Sequence, residues 1–174
     1  MDLKKELDVN DIFLMVLHKD TYSESLLEII ELLKGKRICY VTLNKTAESI
    51  HKALLSNKIP VENVFFIDAV SEGINADHDQ DNIVTVSSPA ALTELSIAIS
   101  EAIKSKYFDV FVFDSLSTLN VYDKHEAVEI FTFEIMNRIK AEAENGIFTC
   151  LEADLNTELV KNCFMHVDKV LRLK

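Results

Sequence analysis

Seven short apolar runs, separated by stretches whose apolar residues recur at helical spacing, constrain this chain more than any other feature of its sequence. The runs are Ile12 to Leu17, Arg37 to Leu43, Val64 to Asp68, Asn82 to Val86, Val110 to Asp114, Ile147 to Leu151 and Val167 to Leu173. Their continuous β-branched and aromatic character predicts strands buried on both faces. Alternation of such strands with helices is the pattern of an α/β fold, a three-layer sandwich around a mostly parallel central sheet. No linker, repeat or low-complexity tract interrupts the 174 residues, so 1–174 reads as a single domain.

The helices between the runs carry readable ends. Thr21 and Glu24 have the spacing of a capping box for a helix reaching about Lys34, where Gly35 supplies a left-handed stop. Asn44 is placed to cap a second helix through Ile50, Ala53 and Leu54, and Ser88-Pro89 to open a third. A fourth runs from Asp123, with Glu126 three residues on, to Glu144. Val128, Phe131, Ile135 and Ile139 form its buried stripe, Glu134 and Arg138 face water, and Asn145-Gly146 end it. A short helix from about Thr157 to Asn162 precedes the last run. The irregular stretch from Ser71 to Asp81 contains Asp77-His78-Asp79-Gln80-Asp81, which has oxygen ligands but neither the glycine nor the distal glutamate of an EF-hand. It reads as a solvated loop.

Composition narrows the function classes. Ordinary usage would supply about 12 glycines, yet there are three, Gly35, Gly73 and Gly146, none close to another. An intact Walker A loop, a dinucleotide GxGxxG and a kinase glycine loop are therefore all absent. Eighteen basic against 29 acidic side chains leave a net charge of −11, which argues against nucleic acid or an anionic membrane as main partner. The cysteines, Cys39, Cys150 and Cys163, are odd in number and lack CxxC spacing, so they read as reduced, buried thiols. No apolar run approaches 18 residues and Met1 to Asp11 carry no signal-like core, so a soluble cytoplasmic protein is expected.

In an open α/β sheet, ligands bind beyond the carboxyl ends of the strands. The residues leaving those ends here are His18 to Ser25, Asn44-Lys45-Thr46, Asp114-Ser115-Leu116-Ser117 and Glu152-Ala153-Asp154. The segment from Phe108 to Leu119, an apolar strand ending in Asp114 and followed by a serine-rich turn, resembles the Walker B strand of the KaiC-like branch of the RecA superfamily of ATPases. Cys39 to Leu43 resembles that group's second strand, Val64 to Asp68 its third and Val167 to Leu173 its terminal core strand. The resemblance spans most of the chain and implies a RecA-like central sheet, ATP and magnesium as the family's ligands, and Asp114 as the magnesium-holding aspartate. It also implies a subunit boundary near the loops that follow Leu43 and Asp114.

The departures from that pattern are specific. The span matching GxxxxGK[ST] is His18-Lys19-Asp20-Thr21-Tyr22-Ser23-Glu24-Ser25, with Ser23 in place of glycine and Glu24 in place of lysine. A carboxylate about 4 Å from a phosphate charge costs on the order of 4 kcal/mol at an effective dielectric of 20. That is roughly a thousandfold in affinity. The family's acidic residue after the second strand is also missing, because Asn44-Lys45 stands there.

Each candidate also has a plainer reading. Glu24 is explained by the capping box, Asp114 by hydrogen bonds to adjoining loops, and Ser115 and Ser117 by turn hydroxyls, since no glycine elbow surrounds them. His125 with Glu129 lacks the HExxH pair, and His166 with Asp168 flanks a strand start. Lys19 and Asp20 are expected to converge with Asp114 above the sheet. A phospho-acceptor receiver domain would need acidic residues after the first strand and a lysine after a late one, where this chain has His18-Lys19 and Glu152.

The reading these residues support is a KaiC-like pseudo-ATPase without a cofactor, acting as a regulatory or protein-interaction module. The alternative is an atypical nucleotide-binding protein or ATPase that holds ATP and magnesium through Asp114 and the loop after Leu17. Ile130, Phe133 and Met136 add apolar surface to the fourth helix beyond one buried stripe, which points to a homo-oligomer or a protein partner.

Overall fold

A computed structural model describes residues 3–71, 82–122, 126–142 and 144–173. The stretch Asp77 to Asp81, the cap at Asp123 and His125 lie outside the described residues. All seven apolar runs are strands: β1 (Ile12–Leu17), β2 (Ile38–Thr42), β3 (Val64–Asp68), β4 (Ile83–Thr85), β5 (Val110–Asp114), β6 (Asn145–Leu151) and β7 (Lys169–Arg172). They form one sheet in the order β4-β3-β2-β5-β6-β1-β7, with every pairing parallel. Because β1 lies between β6 and β7, the order is not the 2-1-3-4-5 of receiver domains.

The period-two alternation of the strands sends successive side chains to opposite faces and makes two cores. On one face α1 (Leu3–Leu7), α2 (Tyr22–Leu32) and α3 (Ala47–Ser56) pack over Phe13, Met15, Tyr40, Phe66 and Val112. On the other, α4 (Leu92–Lys104), α5 (Leu116–Tyr122), α6 (Glu126–Ala141) and α7 (Glu158–Cys163) pack over Leu14, Val41, Phe111, Phe113 and Phe148. The architecture is the expected three-layer sandwich. All three cysteines are buried and free, with burial pushing the thiols of Cys150 and Cys163 up to about 12.

Several helix ends differ from expectation. Thr21 precedes α2 but makes no cap bond, and its buried Oγ1 has no partner among the described residues. Thr46, not Asn44, caps α3 by accepting from the Ser49 amide at 3.2 Å. The third helix starts at Leu92, because Glu94 reaches back to the Ser87 amide and hydroxyl and Ser88 to Ala90 form a turn. Asn145 and Gly146 begin β6 instead of ending a helix: a Cβ on Gly146 would meet the Ile12 Cδ1 and Phe148 ring at 3.1 Å. Gly35, at φ +91°, is the left-handed stop that the sequence predicts.

The surplus apolar surface of α6 is smaller than its sequence suggests. Met136 is buried, Phe133 stacks on His166 at 4.1 Å, and only Ile130 stands 57% exposed. Asp168 is a satisfied acceptor, taking the Ile12 and Asp11 amides at 2.9 and 3.2 Å and the Lys140 ammonium at 2.7 Å. Among the described residues no helix is long and apolar enough to cross a membrane.

Candidate functional site

Strand β5 delivers Asp114 to the carboxyl end of the sheet, where β1, β2 and β6 also release their loops. Asp114 is fully buried, and both carboxylate oxygens are occupied by donors from other elements. Tyr22, from the first turn of α2, donates its hydroxyl to Oδ1. Tyr40, inside β2, donates to Oδ2 at 2.8 Å. The Asn44 amide nitrogen lies 3.0 Å from Oδ1, 3.1 Å from the Tyr22 hydroxyl and 3.3 Å from Ser115 Oγ, and Thr149 Oγ1 is 3.4 Å from Oδ1. Thr118 donates to the Asn44 carbonyl oxygen and lies 3.1 Å from Ser115 Oγ. The peptide bond between Asp114 and Ser115 is cis.

The electrostatics follow from this packing. Burial raises the Asp114 carboxyl above the ordinary range, against the four donors that pull it down. Burial and the nearby Asp114 charge push both phenols upward, so Tyr22 and Tyr40 stay protonated and donate. Magnesium requires open carboxylate oxygens in near-octahedral geometry. Asp114, with each oxygen taken by a neutral donor and two of those donors phenols, does not fit that ion.

Beside this cluster opens a cleft of about 530 Å3, lined by Lys19, Tyr22, Ser23, Asn44, Ser115, Ser117, Thr118, Val121, Tyr122, Leu151 and Asp154. Of the sequence candidates, Lys19, Ser23 and Ser115 line it and Asp114 lies beneath. His18 and Thr21 line a second hollow against Glu152 and Arg172, Asp20 is exposed, and Ser25 is buried. Lys19 and Asp20 therefore do not make a polar site with Asp114. His18 to Ser25 is not a cradle: a 3-10 turn from Lys19 to Thr21 runs straight into α2, with the His18 ring accepting from the Asp20 amide at 3.3 Å.

Two departures that look independent in the sequence meet in space. The Lys45 ammonium lies 2.7 Å from Ser23 Oγ, so the residue standing where the family has an acid touches the residue standing where it has a glycine. Glu24 is exposed and does not line the cleft. The carboxylate charge expected to repel phosphate is thus turned away, and a lysine from the β2 loop faces the same spot. Tyr40 escaped the sequence reading, which named Tyr22 and Lys45 only as members of the strand-end loops and gave neither a role. A hydroxyl in a strand buried on both faces needs a partner, and Tyr40 in Ile-Cys-Tyr-Val-Thr was the available signal.

A family model described as "Family of unknown function (DUF7504)" matches residues 31–173. No curated protein matches the chain significantly. Among solved structures, the KaiC-like protein PH0186 from the hyperthermophilic archaeon Pyrococcus horikoshii OT3 superposes with a TM-score of 0.66 at 14% identity, covering 95% of this chain and 73% of that one. At that identity the likeness is one of fold, and it agrees with the RecA-like sheet read from the Asp114 strand. With the model spanning most of its length, the chain belongs to the DUF7504 family and has a KaiC-like, RecA-like α/β fold.

Proposed function

We propose that this chain is a KaiC-like domain that has lost ATP hydrolysis and works as a regulatory or protein-interaction module, in a homo-oligomer or against a protein partner. The observation that carries the reading is the closure of Asp114: Tyr22, Tyr40 and Asn44 hold both oxygens that a metal-dependent ATPase would keep for its cation. A helix-joined turn in place of a phosphate cradle, and Asn44-Lys45 in place of an acid to position water, remove the other two parts of the machinery. What remains is a rigid sheet whose loop end presents Val121 and Tyr122, 76% and 55% exposed, at the cleft rim as contact surface. Nucleic acid does not suit a chain of net charge −11.

Steady-state hydrolysis of magnesium-ATP by the purified chain tests this, with light scattering on the same sample reading its assembly. Phosphate release is expected to match the buffer blank. Turnover that disappears in Asp114→Ala would overturn the reading.

A further inference from the structure

We infer that the cleft above Asp114 is a site for a small organic anion, a single phosphate or carboxylate group on a body with a ring or apolar portion, held by Lys45, Ser23 and Lys19 without a divalent cation. The inference rests on the inert-module reading and names the ligand by which such a module is regulated. It begins from the relocated charge. Position 24 has lost its lysine and faces solvent, while Lys45 brings an ammonium to Ser23 Oγ from the opposite loop.

That ammonium uses one of its three N–H groups on a neutral hydroxyl. Among the described residues neither Lys45 nor Lys19 makes an ion pair, in a chain with 29 acidic side chains. Both are donors without an anion: Lys19 lines the 530 Å3 cleft, and Lys45, not itself on the wall, reaches it through the lining residue Ser23. The other wall hydroxyls are committed: Ser117 Oγ accepts from the Leu151 amide at 2.9 Å, and Ser115 and Thr118 bond each other and Asn44.

The remaining lining decides the rest of the ligand. Val121, Leu151 and the Tyr122 ring offer apolar contact, and Asp154 is the one carboxylate on the wall, without an ion-pair partner among the described residues. A mixed wall of this kind favours a ligand with one charged end and one apolar body over a compact inorganic ion. A triphosphate would bring more negative charge than two lysines balance, and its magnesium finds no open oxygen on Asp114. The ligand therefore carries one anionic group and binds metal-free.

Calorimetric titration in EDTA with phenyl phosphate and benzoate distinguishes the two anion sources, with phenol as the uncharged control and inorganic phosphate as the bodiless one. Saturable binding of one anion, tighter than phenol and inorganic phosphate, is expected. Lys45→Met should weaken it at least about tenfold, Lys45→Arg should retain it, and Lys34→Met at the far end of α2 should leave it unchanged. Circular dichroism confirms that each variant is folded. No saturable binding of either anion at millimolar concentration, equal affinity in Lys45→Met, or binding that requires magnesium would each overturn the site. ATP turnover is a separate readout: its appearance sinks the inert-module reading, whereas absent turnover with absent anion binding sinks this inference alone.

Discussion

Two buried aspartates end the strands on either side of β2, and they are closed in different ways. Asp68, at the end of β3, takes the Val70 and Ser71 amides at 2.8 and 2.9 Å on one oxygen, and on the other the Ala47 amide at 2.6 Å and the Ser71 hydroxyl. Three of its four donors are backbone N–H groups, one of them the first residue of α3. Asp114, at the end of β5, is held by side chains alone, from residues 22, 40, 44 and 149. A backbone amide can only donate, whereas a phenol or an alcohol donates or accepts by rotating. Asp68 is thus a fixed staple, whereas Asp114 sits in a shell of side chains that can adapt.

The matched pair Asp68→Asn and Asp114→Asn gives the largest expected contrast. At position 68 the new amide must turn its NH2 toward a backbone N–H, and the carboxylate at the start of α3 is lost. The expected cost is about 3 kcal/mol. At position 114 the hydroxyls can turn to accept, and the cost should be about 1 kcal/mol. Denaturant midpoints measure both, and equal losses would break the distinction between a fixed and an adaptable shell.

A third carboxylate sharpens the comparison from the opposite end of the sheet. Glu144, just before β6, is buried with Oε2 unpartnered among the described residues. Burial first, then the neighbouring Glu142 and Asp109 charges, push its carboxyl up to about 7, against the pull of Lys106 and Arg37. The folded protein therefore keeps a proton that the unfolded chain releases near 4.5. Its contribution to stability falls as pH rises from about 4.5 to 7 and is level above that window. Glu144→Gln should flatten this segment of the stability profile and raise stability at pH 8 by on the order of 1 kcal/mol, read as a higher melting temperature. An unchanged slope would mean that the oxygen is partnered.

The smallest effect is expected from rebuilding the family's motif. Ser23→Gly with Glu24→Lys restores the GK[ST] end of the pattern, but His18 still stands at its first glycine, residue 24 is exposed outside the cleft and the segment before it is a 3-10 turn. Affinity for magnesium-ATP in calorimetry should not rise. A tenfold gain would show that residues 18–25 can adopt a phosphate cradle.

Much of the fold was legible in the sequence because burial on two faces leaves a local signature. Every strand was visible as a β-branched or aromatic run, down to the bounds of Ile12–Leu17, Val64–Asp68 and Val110–Asp114. Helix starts were less legible, because capping depends on what else competes for the same side chain. Asn44 has the right type and position to cap α3, yet it serves Asp114, and Thr46 two residues on takes the cap.

What the sequence by itself determined is the layer order, the position of Asp114 at a strand end and the absence of a glycine cradle, since periodicity and glycine content are properties of neighbours along the chain. What only the tertiary structure decided is who closes Asp114 and where the cations go. Tyr22, Tyr40, Asn44 and Thr149 are 92, 74, 70 and 35 residues away from it in sequence, and Lys45 is 22 from Ser23. Pairings at such separations are set by strand order and loop path, which bring β1, β2, β5 and β6 to one end of the sheet. No local pattern records that convergence, so Ser23 and Lys45 read as unrelated residues until the sheet sets the ammonium 2.7 Å from the hydroxyl.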